Sequence, residues 1–226
     1  MFLLRIAATA IASLAAHRVR SALATLGVLV GVGAVIVAIS TIEGATHDVL
    51  TNIGKMGPNV LTILPGTRRP GSRAIANLRS LKYQDALALQ RDCPAVAAAA
   101  PQITIPTVVK FYAQNINTTV VGTNEQYAAV RNYHPVQGRF ITRDDVRAER
   151  RVAVLGFKAA RELCGRGTPL GYVVRIRNQV FTIVGVMQKK GTIGFTPVDR
   201  QVYIPITTAM KRVFGLRHLT NISVAA

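Results

Sequence analysis

Few side chains in this 226-residue chain are of the kinds that make or break bonds. The four histidines, His17, His47, His134 and His218, are scattered, and His134 stands beside Pro135, where a loop is a simpler reading than a base. There is no H-E-x-x-H pair for zinc and no G-x-S-x-G elbow for a nucleophilic serine. A phosphate-cradling G-x-x-x-x-G-K-[ST] loop is also missing, so no P-loop for ATP is encoded. Asp144 and Asp145 are the only adjacent carboxylates. Thr142-x-x-Asp145 has the spacing of a capping box with Asp in place of Glu, and a helix N-terminus accounts for both acids more simply than acid–base catalysis does. Lys189-Lys190 reads as a solvated loop tip rather than a phosphate site. These residues therefore assign no catalytic group, no cofactor-binding residue and no metal ligand.

The two cysteines, Cys93 and Cys164, form no C-x-x-C, which leaves a zinc ribbon or thioredoxin-type site unsupported. If the main domain lies outside the cytoplasm they could be bridged, and sequence leaves this open. The net charge of +18 first suggests nucleic acid or an anionic membrane surface. The basic residues are scattered, however, from Lys55 and Arg68 through Arg131 to Arg212. Trp is absent, and no aromatic-interleaved basic platform exists on which bases would stack. A nucleic-acid partner is not expected.

What must position these residues is organised around Ser21–Ile42, SALATLGVLVGVGAVIVAISTI, which carries no charge. As a helix its 22 residues would reach roughly 33 Å, enough for a ~30 Å hydrocarbon core. Its hydroxyls, at Ser21, Thr25, Ser40 and Thr41, can bond back to the helix carbonyls. Arg18 and Arg20 flank it on one side and Glu43 on the other, so the positive-inside rule puts the N-terminus in the cytoplasm. Gly27 and Gly31 form a G-x-x-x-G, a packing face for a second membrane helix or simply background glycine. Residues 1–20 carry polar side chains at Arg5, Thr9, Ser13 and His17, which predicts an amphipathic helix lying in the membrane interface. A signal peptide with an apolar region over Ile6–Ala16 is the rival. The long apolar segment and three basic charges directly behind it favour the interfacial helix.

Beyond the span, Glu43–Ile53 can prolong the helix until Gly54, Gly57 and Pro58. Asn59–Leu64 reads as a strand, Thr67–Ala76 as a basic loop and Leu81–Asp92 as a helix stopped by Pro94. Val96–Ile105 reads as an extended segment broken by Pro101 and Pro106. Thr107–Ala113 and Ile116–Gly122 form a hairpin about Gln114-Asn115. Short helices follow at Glu125–Tyr133 and after Thr142. Then come a strand at Arg151–Leu155, a helix at Phe157–Cys164, and a hairpin of Tyr172–Arg177 with Gln179–Met187 around Asn178. The remainder is a loop at Gln188–Pro197, a strand at Val202–Ile206, a helix at Thr208–Phe214 and a strand at Asn221–Val224. This alternation is an α+β domain with hairpins.

The order of an interfacial helix, HRVRSALATLGVLVGVGAVIVAISTIEGA and the strand NVLTILPG resembles the start of MacB/FtsX-type ABC transporter permeases. Further matches are YQDALALQRDCPAVAAAAP, VVGTNEQYAAVRNYHPVQGRFIT, RVAVLGFKAARELCGRGTPLGYVVRIRNQVFTIVGVM and VYIPITTAMKRVFG. The resemblance implies an α+β MacB-like periplasmic core domain of two lobes, with βαβ-type elements and hairpins, behind one transmembrane helix. The implied layout is an interfacial helix at 1–20, a membrane helix at 21–42 and a periplasmic domain at 43–226, with the second lobe inserted at about 141–200. It implies residence in a bacterial inner membrane and a permease role in ABC-type export or mechanotransmission. ATP would be bound by a partner ATPase subunit and not by this chain. Other implied partners are a second permease copy, a periplasmic adaptor and membrane lipid.

Two departures from the family pattern stand out. The sequence ends at Ala226, where the family continues to three further membrane helices, so a truncated or split permease is expected. The alternative is an anchored periplasmic binding or scaffold module that works without an ATPase. In addition, Lys82 stands where the family often has a capping Thr, which predicts either a cap at Ser80 or a frayed helix start.

Overall fold

The computed structural model describes residues 18–56, 60–66, 80–165, 167–193 and 196–225, with side chains described except at 18 and 43–56. The expected interfacial helix before Arg18 and the basic loop within 67–79 lie outside the described residues. By its contacts the chain divides into two units, Met1–Thr51 and Asn52–Ala226.

Helix α1 runs unbroken over Arg18–Met56, 39 residues, or about 58 Å at 1.5 Å per residue. Its window Val19–Ile42 is long and apolar enough to cross a membrane. The hydroxyls behave as expected of a helix without water: Thr25 Oγ1 donates to the Ser21 carbonyl and Thr41 Oγ1 to the Val37 carbonyl, each at 2.7 Å. No apolar stripe distinguishes one face, and its Val and Leu side chains are exposed all round, as suits a helix solvated by lipid rather than by a protein core.

The second unit begins with strand β1 (Val60–Ile63) and helix α2 (Tyr83–Asp92). Lys82 is the N-cap of α2 and its side chain accepts nothing. Neither a Ser80 cap nor a frayed start results, because the Asp85 carboxylate accepts from the Lys82 N–H at 2.7 Å. The acidic half of a capping box thus holds the turn without the hydroxyl half.

Strand β2 (Ala98–Phe111) runs straight through both prolines that were expected to break it. Its edge explains why. The carbonyl of Pro101 accepts the Thr123 hydroxyl, on the side away from β11 (Asn221–Ala225), so its missing N–H costs no ladder bond with β11. Residues 102 and 104 bond toward β11, and by the same alternation Pro106 faces that edge too. There β11 has ended at Gln102, and β6 (Val173–Ile176) does not begin until Val109. The hairpin to β3 (Gln114–Thr123) turns at Tyr112-Ala113, two residues before the expected Gln114-Asn115, with Tyr112 at φ 49°.

Next come α3 (Tyr127–Val130), β4 (Pro135–Gly138), α4 (Arg143–Arg147), β5 (Val152–Leu155) and α5 (Phe157–Cys164). Strand β6 forms a hairpin with β7 (Gln179–Met187) through Arg177-Asn178, where the sequence placed it. The expected loop at 188–197 carries a small ladder, β8 (Thr192–Ile193) with β9 (Thr196–Pro197). Strand β10 (Val202–Pro205) leads into α6 (Ile206–Thr208), which widens to π-helical turns over Ala209–Phe214 and ends at Gly215.

Six strands close on themselves: β2 pairs β3, β3 runs parallel to β10, β10 antiparallel to β5, β5 parallel to β7, β7 antiparallel to β6, and β6 returns to β2. Closure removes free edges from this barrel. Its alternating residues form one core, with Val120, Leu155, Ile176, Phe181 and Ile204 packed against Leu163 of α5. Their neighbours Val121, Val154 and Tyr203 face outward into a second core with Ala86 of α2, Tyr127 of α3 and Ile222 of β11. The first half of β2 carries β11 and then β1 as an extension beyond the barrel. One close approach locks β4 onto β7: a Cβ at Gly185 would lie 2.1 Å from the Arg139 carbonyl oxygen.

Candidate functional site

Among the described residues, those singled out for chemistry do not converge. His134 is exposed and His218 half-buried, on separate segments. Among the described residues no group of three or more His, Cys, Asp or Glu could hold a metal ion. Cys93 and Cys164 are both free thiols, half-buried, so the open question of a bridge is answered against it here.

Asp145 does serve as a cap, though its role is larger than the sequence suggests. Thr142 Oγ1 accepts from the Asp145 N–H, and the Asp145 carboxylate accepts from the Thr142 N–H at 3.0 Å. The same carboxylate, 0% exposed, pairs with the Arg139 guanidinium and lies 3.7 Å from Arg150. Burial opposes its ionisation. The hydrogen bonds from Arg139 and Thr142 outweigh burial and hold the carboxyl below its usual range. This is an ion cluster that fixes the segment after β4, and it is not a reactive pair.

A second buried cluster fixes the loop after β7. Asp199, 1% exposed, accepts the backbone N–H groups of Lys190 and Gly191 at 2.8 and 3.0 Å. The position of Lys190 in the sequence suggests a solvated loop tip. Its ammonium instead donates to the carbonyls of Arg131 and Asn132 at 2.6 and 2.9 Å. Burial, and then the Arg131 charge, push the Lys190 ammonium below its usual value. Burial likewise drives the phenols of Tyr133 and Tyr203 upward, so both stay protonated donors.

Beside these clusters the second unit has a pocket of ≈ 480 Å³. Gln102 of β2, Tyr127 of α3 and Asn221 of β11 line it, with Ile193 of β8 and Gln201 just before β10. Arg131, the residue that ends α3, supplies its charge. Arg131 Nη2 donates to Ser223 Oγ at 2.9 Å, and Gln102 Nε2 donates to the same oxygen at 2.7 Å. Arg131 Nε and Asn221 Oδ1 are both shielded and have no hydrogen-bond partner among the described residues. Such orphaned groups cost about 1–3 kcal/mol each. Sequence reasoning passed over this site. Arg131 is one scattered basic residue among many, and Gln102 and Asn221 meet only because β2 pairs with β11.

The positions singled out on the membrane helix lie apart from this site. Gly27 and Gly31 sit one turn apart on α1, and a Cβ at either would meet nothing within 4 Å. Arg20 is exposed, and Arg18 and Glu43 are within α1 with side chains outside the described residues.

Comparison with known proteins places this architecture. A macrolide export ATP-binding/permease protein MacB of Chlorobium luteolum is 34% identical over 217 residues, covering 94% of this chain and 32% of that protein. The MacB of Rhodospirillum rubrum is 37% identical over 213 residues, covering 93% of this chain and 32% of its own length. This chain thus spans about a third of these relatives, and their ATPase part is not covered. Among solved structures, the periplasmic region of MacB from Actinobacillus actinomycetemcomitans superposes with a TM-score of 0.66 at 25% identity, over 79% of each chain. The profile of the MacB-like periplasmic core domain matches residues 21–226, so the chain belongs to that family, with an apolar helix ahead of its mixed α+β fold.

Proposed function

We propose that this chain is the first membrane helix and the extracytoplasmic domain of a MacB-type ABC export system, and that it passes ATPase-driven motion to that domain. The observation that carries this reading is a long apolar helix, α1, ahead of a family domain. The apolar window ends at Ile42, yet the helix runs on to Met56, about 21 Å further. A continuous helix transmits displacement along its axis, whereas a flexible linker would absorb it. Arg18 and Arg20 before the uncharged stretch Ser21–Ile42 and Glu43 after it favour a cytoplasmic N-terminus and a periplasmic domain in the inner membrane.

On this reading the chain performs no chemistry of its own. ATP is bound by a partner ATPase subunit, Gly27 and Gly31 receive a helix of the same permease or of its dimer mate, and lipid surrounds the remainder. A periplasmic adaptor and the division of the domain into two lobes, the second between about 141 and 200, belong to the same proposal.

The test is fractionation followed by affinity purification from solubilised membranes. The chain is expected to resist carbonate extraction and to retain an ABC ATPase when purified through its own tag. A chain that washes off with carbonate, or that stays folded in the membrane but retains no ATPase, contradicts the proposal.

A further inference from the structure

Arg131 is a half-buried cation without an anion among the described residues. None of the ion pairs among the described residues includes it, and its hydrogen-bonded partner Ser223 is neutral. Buried charges are normally paired, because an isolated one pays desolvation without Coulombic return. Among the described residues, the lining of the pocket beside it includes no acidic residue. Asp199, which follows the wall residue Val198, is already committed to two backbone N–H groups. The second orphan, Asn221 Oδ1, lies in the same wall. The rest of the lining combines apolar surface from Val121, Tyr127, Ile193 and Val198 with amides from Gln102 and Gln201 and four threonines. A volume of ≈ 480 Å³ falls in the range of small-molecule sites, and apolar walls with a few convergent polar groups are their usual composition.

We infer that this pocket binds a small amphipathic carboxylate, its anionic head on Arg131 and its apolar body against Val121, Ile193 and Val198. One guanidinium balances one carboxylate, and its planar fork suits that geometry. A phosphate dianion would find a single cation, and its hydration shell would face the apolar wall. The site is independent of the transporter reading, since it rests only on groups of the second unit.

The test uses the full chain in neutral detergent micelles, titrated calorimetrically with N-acetyl-leucine, its neutral amide N-acetyl-leucinamide, and inorganic phosphate. The acid is expected to bind saturably, and the amide and phosphate at least about ten-fold more weakly. Arg131→Gln should weaken the acid by about ten-fold or more. Asn221→Asp, which keeps the guanidinium but adds a competing anion to the same pocket wall, should do the same. Near-ultraviolet circular dichroism of the buried tyrosines confirms that each variant is folded. The inference is overturned by equal affinity for acid and amide, by phosphate binding as well as the acid, by a folded Arg131→Gln within about two-fold of the parent, or by no saturation up to about 20 mM acid.

Discussion

Replacing Asp145 with Ala tests whether the buried ion cluster holds the domain together. The substitution removes a carboxylate that is 0% exposed and accepts from Arg139, from the Thr142 N–H and from Thr142 Oγ1. Breaking a fully buried pair costs ~3–5 kcal/mol, because the abandoned charge stays desolvated. Here the abandoned charges escape to water, since the Arg139 and Arg150 side chains are 44% and 58% exposed. The charge contribution is therefore discounted, and the cap adds about 1 kcal/mol. The net expectation is ~2–3 kcal/mol, or about 4–12 °C in Tm for a domain of this size.

The assay is near-ultraviolet circular dichroism during heating. The chain has no Trp, and its first Tyr is Tyr83, so the signal reports the second unit and is blind to α1. The pH dependence carries its own sign. The carboxyl of Asp145 is held below its usual value in the fold. Its contribution is therefore complete above the unfolded value near pH ~3.9 and disappears as pH falls through the folded value beneath it. The difference between parent and variant should be flat from about pH 5 to 8 and shrink below about pH 4. A Tm change under about 2 °C, or a gap that widens in acid, refutes the reasoning.

Other expectations follow from packing. Gly185→Ala places a Cβ 2.1 Å from the Arg139 carbonyl oxygen and should cost about 1–3 kcal/mol by overpacking; in chemical denaturation the midpoint should fall, and an unchanged midpoint would mean that β4 can move away freely. Gly27→Leu with Gly31→Leu meets nothing of this chain within 4 Å. The tyrosine melting curve should be unchanged while cross-linking between membrane helices drops, and loss of domain stability would place those glycines in contact with the domain.

How much of this was legible in the sequence divides along local and non-local lines. The cap at Thr142 and Asp145, the helix over Phe157–Cys164 and the hairpin at Arg177-Asn178 depend on residues a few positions apart, and their patterns declare them. Closure of the barrel was not legible, because it depends on β3 meeting β10 and β6 meeting β2, strands that lie some 60–80 positions apart. Pro101 and Pro106 misled for the same reason: whether a proline breaks a strand depends on which edge its nitrogen faces, and edges exist only after pairing. Lys190 illustrates the limit for side chains. A lysine in a glycine-containing loop reads as solvated, and only the fold brings the carbonyls of Arg131 and Asn132 under it.

The central claim is that α1 crosses the membrane, with the family domain outside and the N-terminus inside. It is tested most directly by labelling intact spheroplasts with a membrane-impermeant maleimide. In a chain with Cys93 and Cys164 changed to Ser, one new cysteine replaces Tyr112, which is 77% exposed at the β2–β3 turn, and another, in a separate variant, precedes Met1. The account predicts that Tyr112→Cys labels in intact spheroplasts and that the N-terminal cysteine labels only after lysis; the reverse pattern, or labelling of both only after lysis, would contradict it.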